Sequence, residues 1–329
     1  MREGMADVAE AVRRASAVAV CCHVSPDGDA IGSALALRLG LERLGKRTSV
    51  FCADKVPDLV AMLPGADTVR GYDSLAEGER FDLLFPVDTA GADRLGDGVL
   101  ERMLTRCDCS CQLDHHHTNP GYCAVNCVDG TAPAAGILVR ELLGVLGIAI
   151  DADIAACLYA AIATDTGNFS YDNVTPEAFR VMAELLEAGL RLDELNRRLF
   201  VVQPEAQVRL TGRAIASMRL FHGGEIAVLS LSERDFAECG ALPEHADTVV
   251  NKGLSVLGVR MALLVREHGG AVKASLRAVA PDTVSEVARG FGGGGHAQAA
   301  GCTLHGCSLE EAAQRVLGAL ERRLDEVGR

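Results

Sequence analysis

Three short apolar runs early in the chain each stop at a cluster of carboxylate and imidazole, and this constrains the fold more than any other feature. Ala17 to Cys22 ends at His23-Val24-Ser25-Pro26-Asp27-Gly28-Asp29, Phe81 to Val87 at Asp88-Thr89, and Cys109 to Leu113 at Asp114-His115-His116. Runs of that length and composition read as strands. A parallel α/β sheet gathers its chemistry at the carboxyl ends of its strands. Several oxygen and nitrogen ligands meeting at one sheet edge suit a pair of divalent cations better than one. The pattern points to a two-metal hydrolase.

The internal spacing supports this. Asp27 and Asp29 lie two apart in a Pro/Gly loop, so one can face each cation while Gly28 lets the backbone turn tightly. Ala30 to Gly45 then reads as a helix with Ile31, Leu35, Leu39 and Leu44 apolar. Asp88, placed between the other two clusters, suits a carboxylate that bridges both ions. The His115-His116-His117 run follows a strand and an Asp, unlike a solvated histidine tract. A fourth candidate, Asp165, follows the apolar segment Ile154 to Ile162. Each has a plainer reading: Asp27 as a helix cap, Asp88 as a turn residue, Asp165 as a helix end. Their combination favours metal binding.

Taken in order, His23-x-x-Pro26-Asp27-x-Asp29-Ala30-x-Gly32-Ser33, Asp88, Asp114-His115-His116 and Asp165-Thr166-Gly167 resemble the four motifs of the DHH phosphoesterase superfamily. Ser275-Leu276-Arg277, Phe291-Gly292-Gly293-Gly294-Gly295-His296 and Ala299-Ala300-Gly301 resemble its associated C-terminal substrate-binding domain. Within the superfamily the chain is most similar to the nanoRNase/pAp-phosphatase group, over nearly all of its length. That resemblance implies an α/β fold class: a parallel doubly wound DHH domain over 1–188, a helical linker over 189–218, and a smaller α/β DHH-associated domain over 219–329. The active site is expected in the interdomain cleft. The resemblance assigns one ion to His23, Asp27 and Asp88, and a second to Asp29, Asp88, His115 and Asp165. Manganese is the expected metal, with magnesium or cobalt as substitutes. His116 would contact the scissile phosphate and assist the leaving oxygen, and Asp114 would orient His115. Arg277, Gly293, Gly294, Gly295 and His296 would hold the substrate. The implied reactions are hydrolysis of short oligoribonucleotides to nucleoside monophosphates and of 3′-phosphoadenosine 5′-phosphate (pAp) to AMP. Hydrolysis of linear dinucleotides from cyclic-dinucleotide signalling, or a catalytically silent nucleotide-binding protein, are the alternatives.

Composition narrows the partners. Lys and Arg number 32 against 45 Asp and Glu, a net charge of −13, with no Trp and 4% aromatic residues. Proteins that track long nucleic acid carry a basic footprint and stacking platforms, so long duplexes are excluded and substrates with few phosphates favoured. No apolar stretch reaches membrane-spanning length, and Met1 to Arg14 reads as a charged helix rather than a secretory signal. With twelve cysteines in a chain of this size, reduced thiols in a cytoplasmic enzyme are expected. Cys21, Cys22, Cys107, Cys109 and Cys111 read as small core hydrophobes, since the C-x-C-x-C spacing is not that of a common zinc finger. A homodimer is compatible with the sequence. Further helices are expected over Thr131 to Gly147, Asp151 to Ala163 and Ser308 to Leu324. Further strands are expected over Glu225 to Leu231, Gly258 to Arg266 and Ala271 to Ala278.

Overall fold

The computed structural model describes residues 1–327 and divides into two units, Met1–Val202 and Gln203–Arg329. The first is built on a parallel five-stranded sheet of β1 (Ala17–Cys21), β2 (Arg47–Phe51), β3 (Phe81–Pro86), β4 (Cys107–Asp114) and β5 (Val125–Val128), in the order β2-β1-β3-β4-β5. In β1, Val18 and Val20 enter one core while Ala17, Ala19 and Cys21 enter the other. A strand covered on both faces must be apolar at every position, which is why this segment shows no alternation.

The two covers are unequal. Helices α1 (Met5–Arg14), α2 (Gly28–Arg43), α4 (Ala135–Val145) and α5 (Ala152–Asp165) contribute to the larger core, which α6 (Pro176–Glu187) extends. The opposite core draws on α3 (Val99–Leu104) and short loop segments. Helix ends carry their own chemistry. Asp27 caps α2 through Asp29 N and Ala30 N, Asp151 caps α5 through Ile154 N, and Thr175 caps α6 with Pro176 in its first turn. The helix expected from Thr131 begins only at Ala135. Thr131 N and Oγ1 bond instead to Asp129 Oδ1, holding 129–134 as a loop.

The connector expected over 189–218 is not one element. Helix α7 (Leu192–Asn196) runs into a π-helix at Arg197–Val201 within the first unit, whereas α8 (Glu205–Ser217) belongs to the second. Pro204 explains the break, because the residue before a proline is driven out of the helical region.

The second unit holds a mixed six-stranded sheet, β10-β11-β9-β8-β7-β6, made of β6 (Arg219–Phe221), β7 (Ile226–Leu231), β8 (Met261–His268), β9 (Ala271–Ala278), β10 (Gly294–Gly295) and β11 (Ala299–His305). Only the β7–β8 pair is parallel. Along β9, Val272, Ala274, Leu276 and Ala278 alternate into a core shared with α11 (Ser285–Gly290) and α12 (Leu309–Val327). Leu229, Leu231, Ala262 and Leu264 point the other way and pack with Leu210 and Ala214 of α8. Two short helices, α9 (Glu233–Cys239) and α10 (Asn251–Leu254), complete the unit. No described helix is long and apolar enough to cross a membrane.

Candidate active site

The strand order of the first unit reverses between β1 and β3, and crevices at such switch points are where open α/β sheets bind ligands. His23 follows β1, Asp88 follows β3, and Asp114 closes β4 before His115 and His116. Each therefore emerges at the same edge. Asp29 and Asp165 arrive from two helices, and packing brings them together. A Cβ on Gly32 would lie 2.5 Å from Cys157 O, and one on Gly28 would lie 2.3 Å from Thr164 Oγ1. Only glycine at these positions lets the start of α2 reach the end of α5. The expected tight turn at Gly28 is therefore corrected: it is the first residue of α2, and the close approach to Thr164 demands its missing side chain.

His23, Asp27 and Asp88 bring ligand atoms together in one cluster and Asp29, His115 and Asp165 in a second, and a third group, Asp88, His115 and His116, spans the two. Asp88 faces both, with Oδ2 3.7 Å from His23 Nε2 and Oδ1 3.3 Å from His115 Nε2. Asp27 Oδ1 lies 3.8 Å from His23 Nε2, while Asp29 Oδ2 and Asp165 Oδ2 each lie 3.7 Å from His115 Nε2. The imidazoles are aimed by their other nitrogens. Nδ1–H of His23 donates to Val24 O at 2.8 Å and that of His115 to Ala132 O at 3.3 Å, leaving each Nε2 directed inward.

These residues fit divalent cations. Asp88 is 2% exposed, and its Oδ1 is buried with no hydrogen-bond donor, so a carboxylate oxygen is left for an electropositive partner. The donors are carboxylate and imidazole without thiolate, a set suited to manganese, magnesium, cobalt or zinc. The electrostatics agree. Burial and the adjacent Asp88 push the Asp29 carboxyl well above the usual range. Burial, reinforced by Asp88 and Asp27 against the pull of His115, raises Asp165 to about 6. Burial also opposes charging His23 and His115, but Asp27 and Asp88 beside the first, and Asp88 and Asp29 beside the second, raise each to about 10. Protonated imidazoles thus balance acids that a cation would balance better.

Asp114 does not orient His115 as expected. Its Oδ1 accepts from His116 Nδ1 at 2.8 Å, and its Oδ2 accepts from Asn119 Nδ2 at 2.6 Å. That bond places the Asp114 carboxylate beside His116 rather than His115. His117 is exposed and packs against Gly130. Among the cysteines, Cys109 is exposed, not in the core, while Cys21, Cys22, Cys107 and Cys111 are buried.

Sequence reasoning missed the supports of the site. Asn119 also donates to Thr89 O at 3.1 Å, tying the loop after β3 to Asp114. Asp29 accepts from Ser33 Oγ at 2.8 Å, from Ala135 N at 2.6 Å and from Gly136 N at 3.0 Å. The Asp29–Ser33 pair at i,i+4 on one helix was readable; the long-range backbone contacts carry no local signal.

The other expected residues lie in the second unit. Arg277 is half-buried on β9, its Nη1 donating to Leu276 O at 2.9 Å, in register with Ala299 of β11. Gly294 and Gly295 form β10 and pair with Gly301 and Ala300, and His296 sits exposed in the turn that follows. The second half of the glycine run is thus a paired edge strand rather than a free loop. Gly293 and Gly295 are required there, since a Cβ would meet Gly301 O at 2.1 Å or Ala299 O at 2.4 Å.

A parallel sheet whose carboxyl edge carries carboxylate–imidazole clusters, with Asp88 facing two of them, defines an α/β protein with residues that could hold metal ions. The chain belongs to the DHH family. Residues 17–162 match the DHH family, N-terminal domain, and residues 223–326 match the DHHA1 domain. The chain is 34% identical over 328 residues to the bifunctional oligoribonuclease and PAP phosphatase NrnA of Thermus thermophilus, covering 99% of this chain and 96% of that one. The Bacillus subtilis protein of the same name is 25% identical over 304 residues, covering 91% and 92%. An exopolyphosphatase-related protein from Bacteroides fragilis superposes with a TM-score of 0.87 at 26% identity, covering 98% of this chain and 97% of that one.

Proposed function

We propose that this protein is a manganese-dependent phosphoesterase that hydrolyses short oligoribonucleotides to nucleoside monophosphates and pAp to AMP. The observation that carries the reading is Asp88, whose two oxygens face the two clusters at 3.7 and 3.3 Å while one remains buried without a donor. The names of the Thermus and Bacillus relatives support the substrates.

In this reading His23, Asp27 and Asp88 hold one ion, and Asp29, Asp88, His115 and Asp165 the other. When bound, the pair supplies Lewis acidity and a water of lowered pKa for in-line attack on phosphorus. The chain's own residues do the rest. Asp114, fixed by Asn119, holds His116 through Nδ1 and so presents Nε2 outward; it also raises the pKa of His116, favouring the ring's acid form. His116 then donates its Nε2 proton to the departing oxygen. Arg277 and His296, with the glycine edge of β10, bind a phosphate or terminal group away from the reacting bond. The chain works in the cytoplasm in this reading, which its twelve unpaired cysteines support.

An acidic chain gains little from counterion release along a long strand, so efficient cleavage should stop at about five nucleotides. Manganese-loaded protein is to be incubated with pAp, a ribonucleotide dimer, a 5-mer and a 24-mer, and the products resolved over time. Turnover of the first three and near-inertness of the 24-mer is the expected outcome. Equal degradation of dimer and 24-mer would overturn the short-substrate reading, and inertness toward all four would overturn the activity.

A further inference from the structure

The ligands of the second cluster come from three separate parts of the chain, and one segment, the 129–134 loop with the first two residues of α4, supports Asp29 and His115 directly and Asp165 through Asn173. Ala135 N and Gly136 N donate to the Asp29 carboxylate at 2.6 and 3.0 Å. Ala132 O accepts from His115 Nδ1 at 3.3 Å. Asn173 Nδ2 donates to both Pro133 O and Asp165 O, each at 3.1 Å, and so ties the loop to the backbone of Asp165. Asp129 N donates to Asp114 O at 3.0 Å, setting the start of the loop against the end of β4. Among the described residues, no hydrogen bond runs from 129–136 to His23 or Asp27. The first cluster rests on other supports: Val24 O for His23, and the Asp29 and Ala30 amides for Asp27.

Arg2 fastens the start of this loop from outside. Arg2 Nε meets Asp129 Oδ2 at 2.6 Å, its Nη1 meets Glu141 of α4, and its Nη2 meets Glu177 Oε2 of α6 at 2.6 Å. Three carboxylates therefore converge on one guanidinium that is 17% exposed. Arg2 thus links α4, α6 and the loop that carries Ala132, alongside the Arg140–Glu184 ion pair that also joins the two helices. Without Arg2, three acids in one place repel, and Asp129 is free to move the loop away from Asp114.

We propose that Arg2 is a positioning residue for the second cation subsite alone, acting through Asp129, the 129–134 loop and the start of α4 on Asp29, His115 and Asp165. The proposal rests on the two-cation reading above. Outer contacts to metal ligands typically alter metal affinity by 10- to 100-fold, and Arg2 reaches them only through the intervening loop and α4, so the lower end, about tenfold, is expected. Asn173 supplies an independent handle on the same loop, from a different segment and without charge.

The test is a manganese binding isotherm on the full chain for wild type, Arg2→Ala, Arg2→Lys and Asn173→Ala, well below each melting temperature. The wild type should bind two ions. Arg2→Ala and Asn173→Ala should each bind one ion as the wild type does and the other about tenfold more weakly. Arg2→Lys, which keeps a charge beside Asp129, should recover part of that loss. Arg2→Ala that melts earlier yet binds both ions normally would overturn the proposal, making Arg2 a clamp for folding only. Equal weakening of both ions would also overturn it, as would an unchanged isotherm for Asn173→Ala. A wild type that binds fewer than two ions would overturn the two-cation reading beneath it, which distinguishes the two failures.

Discussion

In the proposed mechanism, the role of His116 turns on one hydrogen bond. Asp114 is fully buried, accepts from His116 Nδ1 at 2.8 Å, and has its second oxygen occupied by Asn119. The carboxylate can neither drift nor be solvated, so its charge acts on the ring and keeps the proton there to higher pH than in a free histidine. A general acid matters in proportion to how poor the leaving group is. His116→Ala should therefore cost about 10²- to 10⁴-fold in kcat on a ribonucleotide dimer and far less on a phosphodiester with an activated aryl leaving group. Equal losses on both would remove His116 from proton transfer. The pH profile gives a second check. Activity that needs the protonated ring falls as pH rises through its pKa. Asp114→Asn, which removes the cause of the upward shift, should move that fall to lower pH, and an unmoved limb would contradict the assignment. Of this arrangement, the sequence showed the residues but not the pairing. Asp, His and His in a row leave open which imidazole the acid serves, and only the hydrogen bond from His116 Nδ1 to Asp114 settles it. Asn119 was not legible at all, because nothing local marks an amide that reaches back across a loop.

At the scale of elements, the strand ends were legible and the helix contact was not. Apolar runs stopping at acid and histidine located β1, β3 and β4 closely, since both faces of those strands are covered. Strands β2 and β5 escaped notice because Arg47, Thr48 and Ser49 in one, and the short Val125–Val128 run in the other, give no clear apolar pattern. The approach of α2 to α5, which brings Asp29 beside Asp165, depends on absent side chains at Gly28 and Gly32, and a missing Cβ has no periodic signature. Gly32→Val should destabilise the protein by about 1–3 kcal/mol, because its Cβ meets the Cys157 carbonyl, backbone that cannot swing aside. It should also weaken manganese loading by separating Asp29 from Asp165. Gly212, exposed within α8 with open space around it, provides the contrast. Gly212→Ala should stabilise by roughly 0.5–1 kcal/mol through helix propensity. Urea midpoints check both; the same sign for the two substitutions would contradict the packing argument.

At the scale of the whole molecule, the proposed chemistry and the proposed grip on substrate fall in separate units, each with its own core. Arg277 and His296 share no element with any metal-cluster residue. Arg277→Ala and His296→Ala should therefore keep two bound manganese ions and cleave a small activated diester almost normally. On a ribonucleotide dimer each should lose about ten- to a hundredfold in kcat/KM, the cost of one or two charge-assisted contacts. Equal loss on ester and dimer would place these residues in the chemistry. The two-part organisation was readable from motif order, but the boundary was not, because the helical pattern over 189–218 hides the break that Pro204 makes. What joins the first unit into one site is Asp88, the single carboxylate facing both clusters, and its removal tests the account most directly. Manganese should be titrated into Asp88→Asn beside wild type and the bound ions counted. The account requires both ions to weaken together, since each loses a shared, charged ligand. Loss of one ion with the other bound as in wild type, or two ions bound normally, would contradict a bridged pair.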